Sequence, residues 1–162
     1  MKKVAILGAT GYIGKSLAYE MSHSEKYELF LFSRDKHKAL ELEHVIQAHG
    51  YKNNITYCSL DEFTTYTYDL IINSIGMSNL TSLKENGEVI LTITRTVDEM
   101  ILEYLLTHKD TFYINMSSGA VYKKIDKAVT PSDYYALAKQ ESEVRHRERA
   151  DLSIVDIRVF SF

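Results

Sequence analysis

A glycine-rich turn between a predicted strand and a predicted helix constrains this chain more than any other feature. The segment GATGYIG, residues 8–14, follows an apolar run at residues 4–7 and leads into a stretch with helical apolar spacing. Glycines allow a sharp turn and the close approach of a diphosphate, and the N–H groups and dipole of the helix start favour its negative charge. We therefore expect this turn to bind a dinucleotide, and a tight turn without a ligand is the alternative.

Composition and charge exclude several classes of protein. The 162 residues, of which 45% are apolar and 25% charged, suffice for one globular domain with a core. A net charge of −3 gives no broad attraction to nucleic acid or to an anionic membrane. No apolar run approaches the ~18 residues of a membrane span, and Met1-Lys2-Lys3 leads into the first strand without an apolar signal region, so we do not expect export. The single cysteine, Cys58, cannot form an internal disulfide, so we expect a cytoplasmic protein. The scattered histidines predict no metal site.

Strand and helix patterns alternate along the chain. Several predicted strands are apolar on both faces, which is typical of a parallel sheet covered by helices on both sides. Right-handed crossovers then give an α/β, doubly wound, three-layer fold in one domain over residues 1–162. A mixed-charge stretch at 139–149 is interpreted as a solvated helix face. The predicted strands are 3–7, 28–32, 55–58, 70–73, 112–116 and 153–157, and the predicted helices are 14–22, 36–49, 88–107 and 134–150.

The end of the second predicted strand is basic, at the place where the adenosine ribose of a dinucleotide would rest. Ser33 and Arg34 stand there, followed by Lys36 and Lys38. Arginine can hold a phosphate through two parallel N–H bonds, whereas an acidic residue would accept hydrogen bonds from the ribose 2′-OH. We therefore expect NADP in preference to NAD. A shift of register that presents Asp35 to the ribose would favour NAD, and a basic helix start without a ligand is the other alternative.

Residues suited to acid–base chemistry follow the fifth predicted strand. Ser117 and Ser118 come at its end, and the next helix carries Tyr135 and Lys139 at i,i+4, on one helix face. A phenol has an unperturbed pKa of about 10 and a nearby ammonium favours its ionised form. A serine hydroxyl at the strand end can orient a carbonyl oxygen. Such a set suits hydride transfer between an alcohol or ketone carbon and a nicotinamide.

Taken together, these segments resemble the N-terminal part of an extended short-chain dehydrogenase/reductase, in the branch of nucleotide-sugar epimerases and dehydratases. The resemblance covers essentially the whole chain and implies a Rossmann-type fold. Alignment on Val121-Tyr122 puts the family's catalytic serine or threonine at Ser118, with Ser117 the alternative. The resemblance implies that Tyr135 is the acid/base, that Lys139 tunes it and binds the nicotinamide ribose, and that Ser118 orients the reacting oxygen.

The resemblance also implies a set of cofactor contacts. The three glycines of the turn match the family's glycine motif, the segment 69–76 is similar to the fourth strand that lines the cofactor, and Arg158 resembles an arginine that often ends the sixth strand. The implied contacts are Gly8, Thr10, Gly11, Tyr12, Ile13, Gly14, Ser33, Arg34, Leu60, Ser74, Ile75, Gly76, Met116, Tyr135 and Lys139.

The chain departs from the family pattern at several positions. Ser59, beside Leu60, stands where an acidic residue often faces the adenine, and Ser74-Ile75 replaces a common Ala-Ala pair. The asparagine that many members carry in the helix predicted at 88–107 is missing, with Thr94 near its position. These departures affect details of the cofactor site and leave the fold expectation unchanged.

The length is a larger departure. Family members are much longer, and their substrate domain is built mostly from the part after the sixth strand, where this chain ends at Phe160 and Phe162. We expect a truncated protein without its C-terminal substrate domain and with weak or absent turnover. Members often form homodimers through the helices predicted here at 88–107 and 134–150, although packing on the sheet equally explains the apolar positions of the first of these.

The expected function is that of an NAD(P)-dependent oxidoreductase, epimerase or dehydratase that acts on a nucleotide-activated sugar. A non-catalytic NADP-binding redox sensor is one alternative, but a sensor has no need of Ser118, Tyr135 and Lys139 together. A reductase of another small carbonyl compound is the second alternative.

Overall fold

The computed structural model describes residues 1–50, 54–76, 87–125, 129–131 and 133–160 of the chain. Within these ranges it has six strands and four α-helices that alternate as the sequence predicts. Ser132, next to the predicted start of the last helix, and Phe162, in the expected truncated end, lie outside the described residues. The strands are β1 (Lys2–Leu7), β2 (Tyr27–Phe32), β3 (Ile55–Cys58), β4 (Leu70–Asn73), β5 (Phe112–Ser118) and β6 (Ile154–Val159); the helices are α1 (Tyr12–Ser22), α2 (Lys36–Ala48), α3 (Gly87–Thr107) and α4 (Tyr134–Arg147).

The six strands form one sheet with the order β3-β2-β1-β4-β5-β6. β1 pairs in parallel with β2 on one side and with β4 on the other, and Ile6 lies opposite both Leu31 and Ile72. The order reverses direction between β1 and β4, which defines a doubly wound sheet. The predicted α/β fold class is thus confirmed. None of the described helices is both long and apolar enough to cross a membrane.

The chain divides into two compact units. The first comprises Met1–Ile75 and Asp110–Ile114, and the second Gly76–Lys109 and Asn115–Phe162. In the first unit the side chains of β1 and β2 are buried on both faces, as the apolar runs predict, and an aromatic cluster packs around Phe32 and Tyr68. This burial fixes the end of β1, from which the glycine turn departs.

In the second unit α3 and α4 pack against each other, and their buried faces differ in composition. α3 buries an apolar stripe that includes Ile90, Val97 and Ile101. α4 has few large apolar residues, and its buried face consists of Ala136, Ala138, Lys139, Ser142, Glu143 and His146. The interpretation of residues 139–149 as a solvated face is therefore wrong for Lys139, Glu143 and His146, which are buried with partners.

Two helix boundaries differ from the prediction by more than one residue, and β5 and β6 each end two residues later than predicted. α1 begins at Tyr12 instead of residue 14, so that Gly11 is the residue that precedes the helix and Gly14 is buried in its first turn. α4 ends at Arg147, three residues early, because the chain turns there: the Leu152 amide donates to the oxygen of Arg149, whose side chain binds the Asp151 carboxylate.

Candidate functional site

The glycine turn has a backbone that requires two of its three glycines. Gly8 has a φ of 75°, in the left-handed region that glycine favours. A side chain at Gly14 would bring its Cβ within 2.7 Å of the Ser74 hydroxyl and still closer to the main-chain oxygen of Gly8. Gly11 precedes α1 without any side-chain cap, and the first turn holds no acidic residue. The first N–H groups of a helix have no partner within the helix, so the start of α1 is an uncapped, electropositive end.

Ser74, directly after β4, holds this turn in place through its hydroxyl. Its hydroxyl donates to the main-chain oxygen of Leu7 at 2.7 Å and lies 3.3 Å from that of Gly8. A Cβ at Gly8 would meet Ser74 and the Ile75 amide at 3.1 Å. Ser74, which stands where the family pattern usually has an alanine, therefore contacts the main-chain oxygens of Leu7 and Gly8. The sequence did not reveal this contact.

The end of β2 contacts the same turn. The Thr10 and Ser33 hydroxyls are hydrogen-bonded at 2.9 Å. Asp35 caps α2, because one of its carboxylate oxygens accepts the amides of His37 and Lys38 at 3.0 and 3.2 Å. Arg34 is exposed, and its guanidinium has no hydrogen bond or ion pair with the residues that the structure describes. Asp35 thus has a structural task here, whereas Arg34 is available to a ligand.

Other predicted contacts of the first unit are placed less closely. Tyr12 begins α1 with most of its side chain in solvent, and Ile13 follows it half-buried. Leu60 begins a short 3₁₀ helix, Leu60–Thr65, after β3. Sequence reasoning missed Asn73, whose buried amide accepts from the Ile75 N–H at 3.0 Å and donates to the Tyr113 hydroxyl at 3.2 Å. A polar residue ending an otherwise apolar strand was the available signal.

In the second unit the two serines at the end of β5 have different partners. Ser117 is buried and donates to the Glu143 carboxylate at 2.7 Å. Ser118 is half-buried, and its oxygen accepts the Ala120 amide at 3.2 Å, at the start of a 3₁₀ turn over Gly119–Tyr122. The Ser117 hydroxyl hydrogen is therefore committed, whereas that of Ser118 is donated to none of the described residues and can be donated to a ligand.

Lys139 lies buried against the same strand. Its ammonium donates to the main-chain oxygen of Met116 at 2.7 Å, and a Cβ at Gly76 would be 4.0 Å from it. Burial lowers the pKa of Lys139 to about 8, against the opposing effect of the carboxylates of Asp98 and Asp156. Three predicted contacts of the second unit, Gly76, Met116 and Lys139, are thus brought together, and the lysine stays mostly protonated at neutral pH.

The two tyrosines at the start of α4 also differ. Tyr134 donates to Glu88 at 3.1 Å and packs against Gly87. Tyr135 is half-buried, one helical turn before Lys139, and within the described part of the chain its hydroxyl has no hydrogen-bond partner. Tyr135 therefore has the free hydroxyl that an acid/base residue needs, and Tyr134 does not.

A family model described as "NAD dependent epimerase/dehydratase family" matches residues 4–161 of the chain. No curated protein matches it.

Several solved structures share the fold at low identity. A UDP-glucuronic acid 4-epimerase from Bacillus cereus, in complex with NAD, is 17% identical with a TM-score of 0.73, over 98% of this chain and 56% of that one. A UDP-Glc/GlcNAc 4-epimerase from Campylobacter jejuni is 16% identical with a TM-score of 0.75, over 98% and 53%. A serine dehydrogenase from Escherichia coli is 15% identical with a TM-score of 0.71, over 98% and 82%. The chain spans about half the length of the two epimerases that it resembles.

Proposed function

The chain belongs to the NAD dependent epimerase/dehydratase family, and we propose that it moves a hydride between a nicotinamide dinucleotide and a nucleotide-activated sugar. The observation that carries the proposal is the state of Lys139. It is buried as an ammonium on the Met116 carbonyl, one helical turn after a tyrosine whose hydroxyl has no partner among the described residues. A buried cation is costly unless it is paired or hydrogen-bonded, and ionisable groups whose pKa is strongly shifted by burial are concentrated at functional sites.

The glycine turn is the proposed site of the dinucleotide's diphosphate. A side chain at Gly14 would collide with the Gly8 oxygen and the Ser74 hydroxyl, and one at Gly8 would be strained by its positive φ and tightly packed against Ser74. The uncapped start of α1 offers N–H groups and positive dipole charge. Gly8, Gly11 and Gly14 would hold the diphosphate, and Thr10 and Ser33 would line the way to the ribose.

For the adenosine ribose we propose a 2′-phosphate, and hence NADP. The Arg34 guanidinium is exposed and free of protein partners in the described residues, so it can bind a phosphate with two N–H bonds. Asp35, the residue that would instead accept a ribose 2′-OH, has one oxygen occupied by the amides that start α2.

In the second unit the proposed reacting residues have separate roles. When bound, the nicotinamide supplies a carbon that accepts or returns the hydride. Tyr135 would take the proton from a sugar hydroxyl as the sugar carbon that bears this hydroxyl is oxidised, and would return the proton when that carbon is reduced. Lys139 would stabilise the ionised phenol by its charge, and the free Ser118 hydroxyl hydrogen would be donated to the same sugar oxygen.

The sugar substrate is supported by the family and by fold likeness to two UDP-sugar epimerases. The fold alone does not identify the substrate, because a serine dehydrogenase shares the fold with a comparable TM-score of 0.71. The first test is a titration of the chain with NADPH and NADH, followed by nicotinamide fluorescence. Tighter binding of NADPH is expected, and binding of neither would overturn the proposed cofactor site.

The second test separates an enzyme from a binding protein. In a longer form that includes the expected C-terminal substrate domain, Tyr135→Phe should keep cofactor affinity and abolish turnover of UDP-sugars. Tyr134→Phe, which removes a bond to Glu88, should keep both. Equal turnover by Tyr135→Phe and the unaltered protein would exclude the proposed acid/base. Retained cofactor binding with no turnover of any UDP-sugar by the unaltered longer form would instead count against the substrate class.

A further inference from the structure

Helix α4 is hydrogen-bonded at several points to the segment that carries Ser118. Besides the bond from Lys139 to Met116, the Gln140 amide donates to the main-chain oxygens of Val121 and Lys123 at 2.9 and 2.8 Å. Glu143 accepts from Ser117 at 2.7 Å. Tyr135, Lys139 and Glu143 follow one another at i,i+4, so these contacts come from the face that also carries the proposed acid/base.

Glu143 is the most constrained of these residues. Its carboxylate is 4% exposed, and Arg158 on β6 binds it at two points, 2.9 Å from Nε and 2.6 Å from Nη2. A two-point arginine contact fixes the plane as well as the position of a carboxylate. Bonds from Arg158 keep the pKa of Glu143 below its ordinary value, although burial opposes this. The carboxylate is therefore ionised and held in one orientation.

The same arginine reaches the far side of Ser118. Arg158 Nη1 donates to the Tyr122 hydroxyl at 2.6 Å, and the ring of Phe160 lies so close to Gly119 that a Cβ there would be 2.6 Å from it. A chain of contacts Ser117–Glu143–Arg158–Tyr122 thus brackets Ser118, from the residue before it to the end of the 3₁₀ turn after it. Displacement of Glu143 would loosen both sides of this bracket.

We propose that Glu143 is a positioning residue that fixes the Ser118 hydroxyl relative to α4, the helix that carries Tyr135 and Lys139. The role of Ser118 in the reaction rests on the proposed function, but its immobilisation by Glu143 does not. Glu143 touches no reacting atom; it acts through Ser117 and through the arginine that it holds. Loss of its charge frees Arg158 and weakens the acceptor of the Ser117 hydroxyl.

The position of Ser118 has a direct reporter, because the Ala120 amide donates to its oxygen. In Glu143→Gln, a side chain of nearly the same shape without charge, amide hydrogen exchange at Ala120 should accelerate roughly tenfold, as expected for loss of a charged hydrogen-bond partner. Amides in the middle of α3, such as that of Ile101, should exchange as before. Unchanged exchange at Ala120, or equal acceleration at both places, would overturn the proposal, since the latter is general destabilisation.

Arg147→Gln is the matched control. Arg147 approaches the same carboxylate at 3.5 Å from the solvent side and is 62% exposed, so its loss should leave exchange at Ala120 unchanged. If Glu143→Gln does not fold, Ser117→Ala removes only the strand-side bond and should also accelerate exchange at Ala120, by a smaller factor. Unchanged exchange at Ala120 in this variant would overturn the proposal.

Turnover provides a separate measurement. With a UDP-sugar that the unaltered protein converts, Glu143→Gln should lower kcat roughly tenfold or more with an unchanged dissociation constant for the dinucleotide, since misplacement of a reacting group affects the transition state. An unchanged kcat would overturn the positioning role. Failure of Tyr135→Phe and Ser118→Ala to affect turnover would overturn the proposed function, while the exchange result at Ala120 would stand.

Discussion

The Ser74 hydroxyl donates a hydrogen bond to the main-chain oxygen of Leu7 across 2.7 Å. This bond ties the end of β4 to the end of β1, directly before the glycine turn. The same oxygen also accepts the Ser74 amide at 3.0 Å, so removal of the hydroxyl would leave no unpaired buried acceptor. The hydroxyl therefore serves to hold the turn in place more than to satisfy the backbone of β1.

Ser74→Ala should lower the free energy of unfolding by about 1 kcal/mol, the net value of one ordinary hydrogen bond. It should also weaken NADPH binding, because the carbonyl of Gly8 loses a neighbour that restrains it. Urea unfolding and fluorescence titration measure the two effects. Ser16→Ala is the control, since that exposed hydroxyl only donates to the Tyr12 oxygen in α1. Unaltered affinity in Ser74→Ala would mean that the turn keeps its shape without this bond.

Gly8 and Gly50 offer a matched pair, with φ angles of 75° and 77°. Alanine at either position incurs the left-handed penalty of about 1–2 kcal/mol. At Gly8 the new Cβ would also meet atoms of Ser74 and Ile75 at 3.1 Å, while at Gly50 no atom of the described residues, its two chain neighbours aside, lies within 4 Å. Gly8→Ala should therefore destabilise the protein more than Gly50→Ala and should alone abolish dinucleotide binding. Equal losses of stability, measured by urea unfolding, would show that the close contact costs nothing.

The sequence predicted the elements and the glycine turn well because their signals are local. Apolar runs mark the buried strands, and glycine spacing after a strand marks the turn. The hydrogen bond from Ser74 to Leu7 could not be predicted from the sequence, because the two residues are 67 positions apart in the chain. The sequence marks Ser74 as an expected cofactor contact and as a departure from the usual alanine, but its bond to Leu7 depends on the β1–β4 pairing.

The interpretation of α4 failed for a related reason. Charged residues at i,i+4 spacing look alike whether they face water or a buried network. The face is buried because its partners come from other elements: Asp98 on α3, Ser117 on β5, and Asp156 and Arg158 on β6. Burial of such a face is favourable only when each charge finds its partner, and single-sequence patterns do not report long-range partners.

Cofactor preference can be assigned to one of two neighbouring residues. Arg34→Ala should weaken NADPH binding about tenfold or more, the loss of a charged hydrogen bond to phosphate, and leave NADH binding nearly unchanged. Asp35→Ala removes the cap of α2 and should lower the free energy of unfolding by about 1 kcal/mol without altering the ratio of the two affinities. Fluorescence titrations of both variants with both nucleotides measure this. A ratio that changes in Asp35→Ala and not in Arg34→Ala would reassign the ribose contact to Asp35 and the preference to NAD.

His146 should make stability depend on pH. Its ring nitrogens lie 2.7 Å from Asp98 and 2.8 Å from Asp156. Burial disfavours the charged ring, but these carboxylates outweigh it and raise the pKa of His146 to about 9. Because this exceeds the ordinary value of 6.5, the folded state retains a proton that the unfolded chain loses. The stabilisation is complete below pH 6.5 and disappears as the pH rises towards 9.

The expected size follows from about 1.4 kcal/mol per pH unit for one proton difference. Between pH 6.5 and pH 8 the free energy of unfolding should thus fall by roughly 2 kcal/mol. The range stops at pH 8 because Lys139, whose pKa is lowered to about 8, contributes with the opposite sign above it. His44→Gln, which removes an exposed histidine, should keep this slope, and His146→Gln should lose it. Equal free energies of unfolding at pH 6.5 and pH 8 in the unaltered protein would mean that His146 titrates alike in the folded and unfolded states.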